Sequence, residues 1–401
     1  MKARISWLLF LSAASICCGQ LAIGQTIYFP PPSAWQRQSP AQLGLNAAAI
    51  DQAVEFATGH EAKTVREGLL AQIHSFGREP LSDPIGPLKD RGGATGLIIY
   101  KGYIVAEWGN PSRVDMTHSV TKSFLSTVVG LAVDRHLIGS TLDTIAHAIP
   151  PIEIFGPGGN TPPEFIYPFE SKHNRKLTWE VMLRQTSDWE GTLWDKPDWA
   201  DRPQGNIDEW KTRDRHEPGA VWKYNDVRVN ALALAATTIW RRPLPDVLKE
   251  YIMDPIGASN TWHWTGYHNS WVVLNGQVIQ SVSGGGHWGG GLFINAYDMA
   301  RFGLLTLHHG NWNGKQLISQ QWIKQALTPT AANTGYGYMN WFLNTDKKLL
   351  PSAPETSWVH IGNGTNMIYC DPEHDLVVVA RWIENKEMDG LIRNVLEALQ
   401  K

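Results

Sequence analysis

Ser119-Val120-Thr121-Lys122 is the first arrangement in the chain that could do chemistry. At the start of a helix, residues three apart share a face, which puts the Lys122 ammonium beside the Ser119 hydroxyl. Such a lysine can take the serine proton if burial or neighbouring cations lower its pKa. Helix N-terminal N–H groups would add positive potential and could donate to an oxyanion. The spacing alone is weak, because chance supplies about one Ser-x-x-Lys in a chain of this composition. Its context gives it weight. Ser123 to Val133 is apolar nearly all round, so the helix is buried, and a lysine at its head is costly without a partner or a purpose.

Other groups were weighed beside this pair. His118 next to Ser119 suggests a Ser-His-Asp triad, yet the chain has no Gly-x-Ser-x-Gly elbow. Gly284 to Gly291 lacks both nucleotide-binding spacings, so close backbone approach or a flexible site rim explains it better than a phosphate loop. His308-His309 and His216-Glu217 lack the spacing of a zinc helix and a third ligand. No metal and no cofactor are expected. Trp189, Trp194, Trp199, Trp210 and Trp222 fall in or beside a loop-like stretch, and either pack the core or wall a crevice over Ser119.

The elements that must hold these residues follow from pattern. Thr95–Tyr100 and Tyr103–Trp108 flank Lys101-Gly102, a β-hairpin signature. Helical spacing marks Asn46–His60, Ser119–His136, Thr178–Gln185, Asp226–Trp240 and Leu244–Tyr251. Short runs rich in β-formers return at Tyr336–Leu343, Trp358–Ile361, Asn366–Cys370 and Leu376–Trp382, and Met388–Leu399 closes the chain as a helix. Strands at both ends with helices between predict one antiparallel sheet made of N- and C-terminal pieces, with a helical lobe inserted. The crevice between the two lobes is the expected site.

Four further segments follow in order along the chain: Leu183-Arg184-Gln185-Thr186-Ser187-Asp188-Trp189-Glu190-Gly191, Tyr224-Asn225-Asp226 opening a helix, Gly289 to Gly303, and His360-Ile361-Gly362 in a late strand. With His118-Ser119-Val120-Thr121-Lys122-Ser123-Phe124, they resemble the serine β-lactamase and penicillin-binding-protein superfamily from about Gly92 onward. The resemblance is closest to its class C-like, esterase and 6-aminohexanoate-dimer hydrolase branches. It implies an α+β, β-lactamase/DD-peptidase-like fold, with an antiparallel sheet flanked by helices and an inserted all-helical lobe. Residues 45–115 with 276–401 would form the sheet lobe and 116–275 the helical lobe of one catalytic unit.

The resemblance also implies roles. Ser119 would be acylated, Lys122 and Tyr224 would share base and acid work, and the N–H groups of Ser119 and Asn363 would hold the oxyanion. His360, Gly362, Asn225, Asp226, Trp189 and Trp194 would line or shape the substrate site. A tyrosinate base needs a lowered pKa, for which Lys122 and Lys223 could supply the field. Asp226 replaces the Asn of many relatives. Its charge would hold Lys122 protonated and favour Tyr224 as base. His360 replaces Lys and Ile361 replaces a hydroxyl residue, which argues against a dedicated β-lactamase or transpeptidase. The expected activity is cleavage of a carboxylic ester or non-β-lactam amide, the partner being a small ester, amide or short peptide. A peptidoglycan D-amino peptidase or other penicillin-recognising enzyme, and a non-catalytic cell-wall- or peptide-binding protein, are the alternatives.

Composition agrees with an enzyme. With 401 residues, 43% hydrophobic and 18% charged, the chain can bury a large core, and a net charge of −3 from 35 basic and 38 acidic residues leaves no footprint for nucleic acid. Lys2 and Arg4, the apolar run Ile5 to Cys18 and the small residues Ala22 and Gly24 read as an export leader over residues 1–24, placing the protein in the periplasm or outside the cell. Cys17 and Cys18 raise a lipid tether, but Ile16 is bulky where attachment wants a small residue. Past the leader, a Pro-rich extended arm spans residues 25–44, and Cys370 is the one cysteine, so no internal disulfide is expected.

Overall fold

The Lys101-Gly102 turn has positive φ at both residues, 52° and 83°, the geometry that matches a two-residue hairpin to the twist of its strands. It joins β1 (Thr95–Tyr100) to β2 (Tyr103–Trp108). The computed structural model describes residues 27–32, 34–156, 158–159 and 161–399; the leader assigned to residues 1–24 lies outside them. Four late strands complete the sheet: β3 (Phe342–Leu343), β4 (Trp358–Gly362), β5 (Asn366–Asp371) and β6 (Leu376–Arg381). The order is β3-β4-β5-β6-β1-β2, antiparallel throughout, with Thr95 opposite Arg381 and Tyr100 opposite Leu376. The expected sheet of N- and C-terminal pieces is present.

Both faces of this sheet are covered, and the period of two along each strand sorts the side chains between two cores. Leu97, Ile99, Ile368, Val377 and Val379 join one apolar cluster with Phe302 of the helix Ala296–Leu307. Ile98, Met367, Tyr369, Val378 and Ala380 join the other, against the helices Ala47–Gly59 and Met388–Glu397. Strands buried on both sides read as continuous apolar runs, which is why Leu376–Arg381 shows no alternation in sequence. The terminal helix buries Met388, Leu391, Ile392 and Val395, an i, i+3, i+4, i+7 stripe.

The inserted segment centres on two buried helices, Thr121–Asp134 and Asp226–Trp240, packed against one another. It is not all-helical. A second sheet runs Asp115–Met116, Gly291–Ile294, His263–Leu274, Ile152–Ile154, Glu164–Ile166, with Gln277–Val282 paired to His263–Leu274. Asn275 and Gly276 turn that last hairpin with φ of 54° and 75°, so its two strands stand on either side of the expected lobe boundary at 275. Of the run Tyr336–Leu343 only Phe342–Leu343 is strand, because the chain turns at Asn340, where φ is 60°. The arm is not extended to its end: Ser39 is extended, and Pro40–Leu43 is a 3-10 turn. Tyr28 stacks on Tyr103 at 4.3 Å, Trp35 donates to the Gly102 carbonyl at 2.8 Å, and Arg301 donates to Pro30 and Pro31. Cys370 is free and buried, and no described helix is long and apolar enough to cross a membrane.

Arg381 ties the two sheets together. It is 1% exposed and donates to Asn366 Oδ1 (2.7 Å), the Ile294 carbonyl (2.6 Å) and the Met116 carbonyl (3.0 Å). Burial pushes its guanidinium down to about 10. Arg381→Met would leave three buried acceptors without a donor, so equilibrium urea unfolding should show a loss of about 3 kcal/mol. A loss below about 1 kcal/mol would show that water replaces these bonds.

Candidate active site

Ser119 lies in a 3-10 turn, His118–Val120, that leads directly into the helix Thr121–Asp134. The chain enters from the strand Asp115–Met116 through His118 in the left-handed region, with φ of 51°. The strand Gly291–Ile294 fixes this corner. Thr117 Oγ1 donates to the Leu292 carbonyl (3.1 Å), and Leu292 N donates to Thr121 Oγ1 (3.0 Å). Asn340 Nδ2 donates to the Ser119 carbonyl at 2.6 Å, so the turn at Asn340 that interrupts the expected strand also anchors Ser119.

Lys122 has no exposed surface, and its Nζ is 2.9 Å from Ser119 Oγ and 2.6 Å from Asp226 Oδ1. Asp226 is the first residue of the helix Asp226–Trp240, where a carboxylate meets the positive end of the dipole. Its second oxygen accepts Arg202 Nη1 at 2.8 Å. Tyr224 packs its ring under both cations, 4.6 Å from Lys122 Nζ and 5.1 Å from Arg202 Cζ, and lines the same cleft as Ser119. Ser119, Lys122, Tyr224 and Asp226, distant in sequence, are thus one cluster at the wall of a cleft of about 390 Å³.

The electrostatics reverse one expectation. Burial, reinforced by Asp226, pushes the Tyr224 hydroxyl well above the ordinary tyrosine range, so it holds its proton and is not a tyrosinate. Lys223 donates to the Arg202 carbonyl at 2.6 Å, and burial lowers its ammonium from the usual lysine value. Burial lowers the Lys122 ammonium from the usual lysine value, against the pull of Asp226. Burial opposes the charge of Asp226, but Lys122 and Arg202 outweigh it and hold the carboxyl well below its ordinary value. His118 is pushed down to about 4 by burial, Arg381 and Lys122, and is neutral at pH 7.

Two glycines show how tightly the site is built. A Cβ on Gly285 would sit 1.9 Å from Asp226 Oδ1 and 2.1 Å from Lys122 Nζ, so the glycine run is a wall against which the ion pair lies. A Cβ on Gly362 would sit 2.0 Å from the Thr117 carbonyl oxygen and 3.0 Å from Ser119 N. The end of β4 therefore lies directly on the backbone at Ser119 and brings Asn363 to the cleft, where its Nδ2 donates to Ser75 Oγ at 3.0 Å.

Other candidates stand elsewhere. His360 is fully buried on the far side of β4, edge-on to Trp341 at 4.6 Å, and burial pushes it down to about 3; Ile361 lines the cleft in its place. Asn225 caps its helix by accepting Arg228 N at 3.1 Å and donates to the Asp198 carbonyl. Trp189 and Trp194 belong to the apolar core, and none of the five tryptophans lines the cleft. Its aromatic walls are Phe76, Tyr224 and Phe342. Phe76 comes from the helix Gly68–Phe76, which no sequence signal had marked. Arg202 and His287 were also missed. His287 Nε2 is 3.0 Å from Glu79 Oε2, and Glu79, Asp201 and His287 offer ligand-type atoms within 4.8 Å. Arg202 already pairs there with Asp201 at 2.5 Å, which balances the charge a cation would answer.

Comparison places this geometry among known folds. Similar solved structures include a penicillin-binding-protein homologue from Caulobacter crescentus (12% identity, 91% of this chain and 99% of that one, TM-score 0.55). A family VIII carboxylesterase (15%, 77% and 92%, TM-score 0.53) and a putative 6-aminohexanoate-dimer hydrolase from Bacillus anthracis (17%, 75% and 77%, TM-score 0.50) share the same fold. Among curated proteins no sequence matches. The family model described as Beta-lactamase matches residues 89–400, a span that holds every residue of the Ser119 cluster, and the chain belongs to the Beta-lactamase family.

Proposed function

We propose that the protein is a serine hydrolase that cleaves uncharged carboxylic esters or simple amides through an acyl-enzyme on Ser119. The observation that carries this reading is the 2.9 Å contact between Ser119 Oγ and a fully buried Lys122 Nζ, facing a cleft. In its neutral form Lys122 takes the Ser119 proton as Oγ attacks the carbonyl carbon. The negative oxygen is held by the N–H groups of Ser119 and Asn363, which the Gly362 contact brings together. The Lys122 ammonium so formed passes its proton to the leaving group through the Tyr224 phenol, which gives one proton as it gains another and never ionises; in deacylation the same relay carries a proton from water to Lys122 and back to Ser119 Oγ.

The lining supports uncharged substrates. Among the described residues at the cleft the one lysine or arginine is Arg202, already paired with Asp201 and Asp226. Phe76, Phe342, Ile361 and Ile383 give an apolar surface for an acyl group. A penicillin or cell-wall peptide carboxylate would lose its hydration there without gaining a free cation. This disfavours the peptidase alternative, and the assembled Ser119, Lys122 and Tyr224 disfavour the non-catalytic one. Export rests on the charged and then apolar N-terminus alone.

Intact-mass analysis after treatment with a fluorophosphonate probe should show one adduct, mapped to Ser119 and missing from Ser119→Ala. Folded wild-type protein that takes no adduct would overturn the proposal. Between matched aryl esters, kcat/KM should favour the uncharged acyl group over one ending in a carboxylate by about 10-fold or more, the cost of a desolvated charge left unpaired. Equal rates, or capture of benzylpenicillin as a lasting adduct, would restore the penicillin-recognising reading. Gly285→Ala should cut the rate by about 100-fold or more by forcing Lys122 and Asp226 apart, while circular dichroism stays unchanged.

A further inference from the structure

Asp226 is shared. One oxygen holds Lys122 at 2.6 Å and the other holds Arg202 at 2.8 Å, while the same Arg202 nitrogen reaches Asp201 Oδ1 at 2.5 Å. Asp201 in turn accepts the backbone N–H of Asp226. Arg202 belongs to none of the motifs that marked the site, yet its position is closely fixed. Its backbone is left-handed (φ 48°), its N–H donates to Glu79 Oε2 at 3.1 Å, and its carbonyl accepts Lys223.

We propose that Arg202 is a positioning residue for the reaction, whose charge offsets Asp226 and Asp201 so that they do not lock Lys122 in the ammonium form. Without that charge, Lys122 would face two buried carboxylates, one in contact and one just behind it. The proton would stay on nitrogen, and Ser119 would have no base. With Arg202 in place, Asp226 orients Lys122 toward Ser119 while its negative charge is divided between two cations. This inference rests on Lys122 acting as the base and adds what frees it to do so.

The other charged or titratable groups around Lys122 are Tyr224 and Tyr336, whose hydroxyls burial pushes far up, His118, which is neutral at pH 7, and His287, whose Nδ1 is 3.8 Å from the Arg202-bound oxygen of Asp226. Glu79 lies behind His287. Of these, His287 is the one beside the Asp226 oxygen that Arg202 holds, so it is tested with Arg202.

The rate of fluorophosphonate labelling, followed by mass spectrometry from pH 5 to pH 10, reports the base directly. An Oγ–P bond forms, fluoride leaves, and the Ser119 proton passes to Lys122. The rate should rise with pH as Lys122 loses its proton. In Arg202→Gln this limb should move up by about one pH unit, a roughly tenfold slower reaction at pH 7, and the high-pH plateau should return to within about threefold of wild type. Because one nitrogen makes both carboxylate contacts, Arg202→Lys should keep the limb near its wild-type position, and so should His287→Gln. A uniform loss at every pH in Arg202→Gln, Arg202→Lys behaving like Arg202→Gln, or an equal shift in His287→Gln would overturn the inference. These outcomes leave the hydrolase reading intact, whereas wild type that never labels overturns that reading itself.

Discussion

A lysine ammonium with no exposed surface must be partnered or give up its charge, because bulk water no longer solvates it. Lys122 meets this constraint with a single carboxylate, and much of the molecule serves that contact. The helix Asp226–Trp240 delivers Asp226 at its first turn, and Asn225 starts the helix by capping it. The helix Thr121–Asp134 holds Lys122 one turn from the nucleophile. The glycine run closes over the pair at a distance that no side chain could share. A buried ion pair of this kind contributes little net stability, so its value lies in fixing an amine beside a hydroxyl.

The departure from Asn at position 226 takes on a different meaning in this setting. In sequence, an aspartate next to Lys122 points to a lysine that cannot act as a base, and Tyr224 becomes the natural substitute. In three dimensions the carboxylate also answers Arg202, and the tyrosine is buried beside a negative charge that keeps its proton on. The second partner of this carboxylate lies 24 positions before it, in a loop with no recognisable pattern.

What could be read from the sequence was whatever is encoded locally. The hairpin at Lys101-Gly102 carried its turn chemistry in two residues, and Asp226–Trp240 carried its cap and apolar character in one stretch. Ser119, Lys122 and Tyr224 were legible because their order along the chain repeats a known pattern. The second hairpin had a comparable signal in Asn275-Gly276, overlooked because Trp and Val around it were not weighed as strands. His360 was misplaced because the two faces of β4 lead to different surroundings, and periodicity alone does not say which face meets the cleft. Trp189 and Trp194 belong to the core because the loop-like stretch around them folds back under the helix Asp226–Trp240. Arg202, His287 and Asn340 act through contacts with remote residues, and no local pattern encodes such a pairing.

The pairing of β1 with β6 has a consequence for how the molecule comes into being. These neighbouring strands are 286 residues apart in sequence at Thr95 and Arg381, so a ribosome must make everything between them before the sheet can close. Arg381 and Gly362, which lie against the backbone around Ser119, emerge more than 200 residues after it. A nascent chain therefore carries Ser119 and Lys122 through more than 200 further residues of synthesis without the strand that lies against them. The corner that holds the two side chains together is a product of the closed sheet, and no early segment of the chain can assemble it alone.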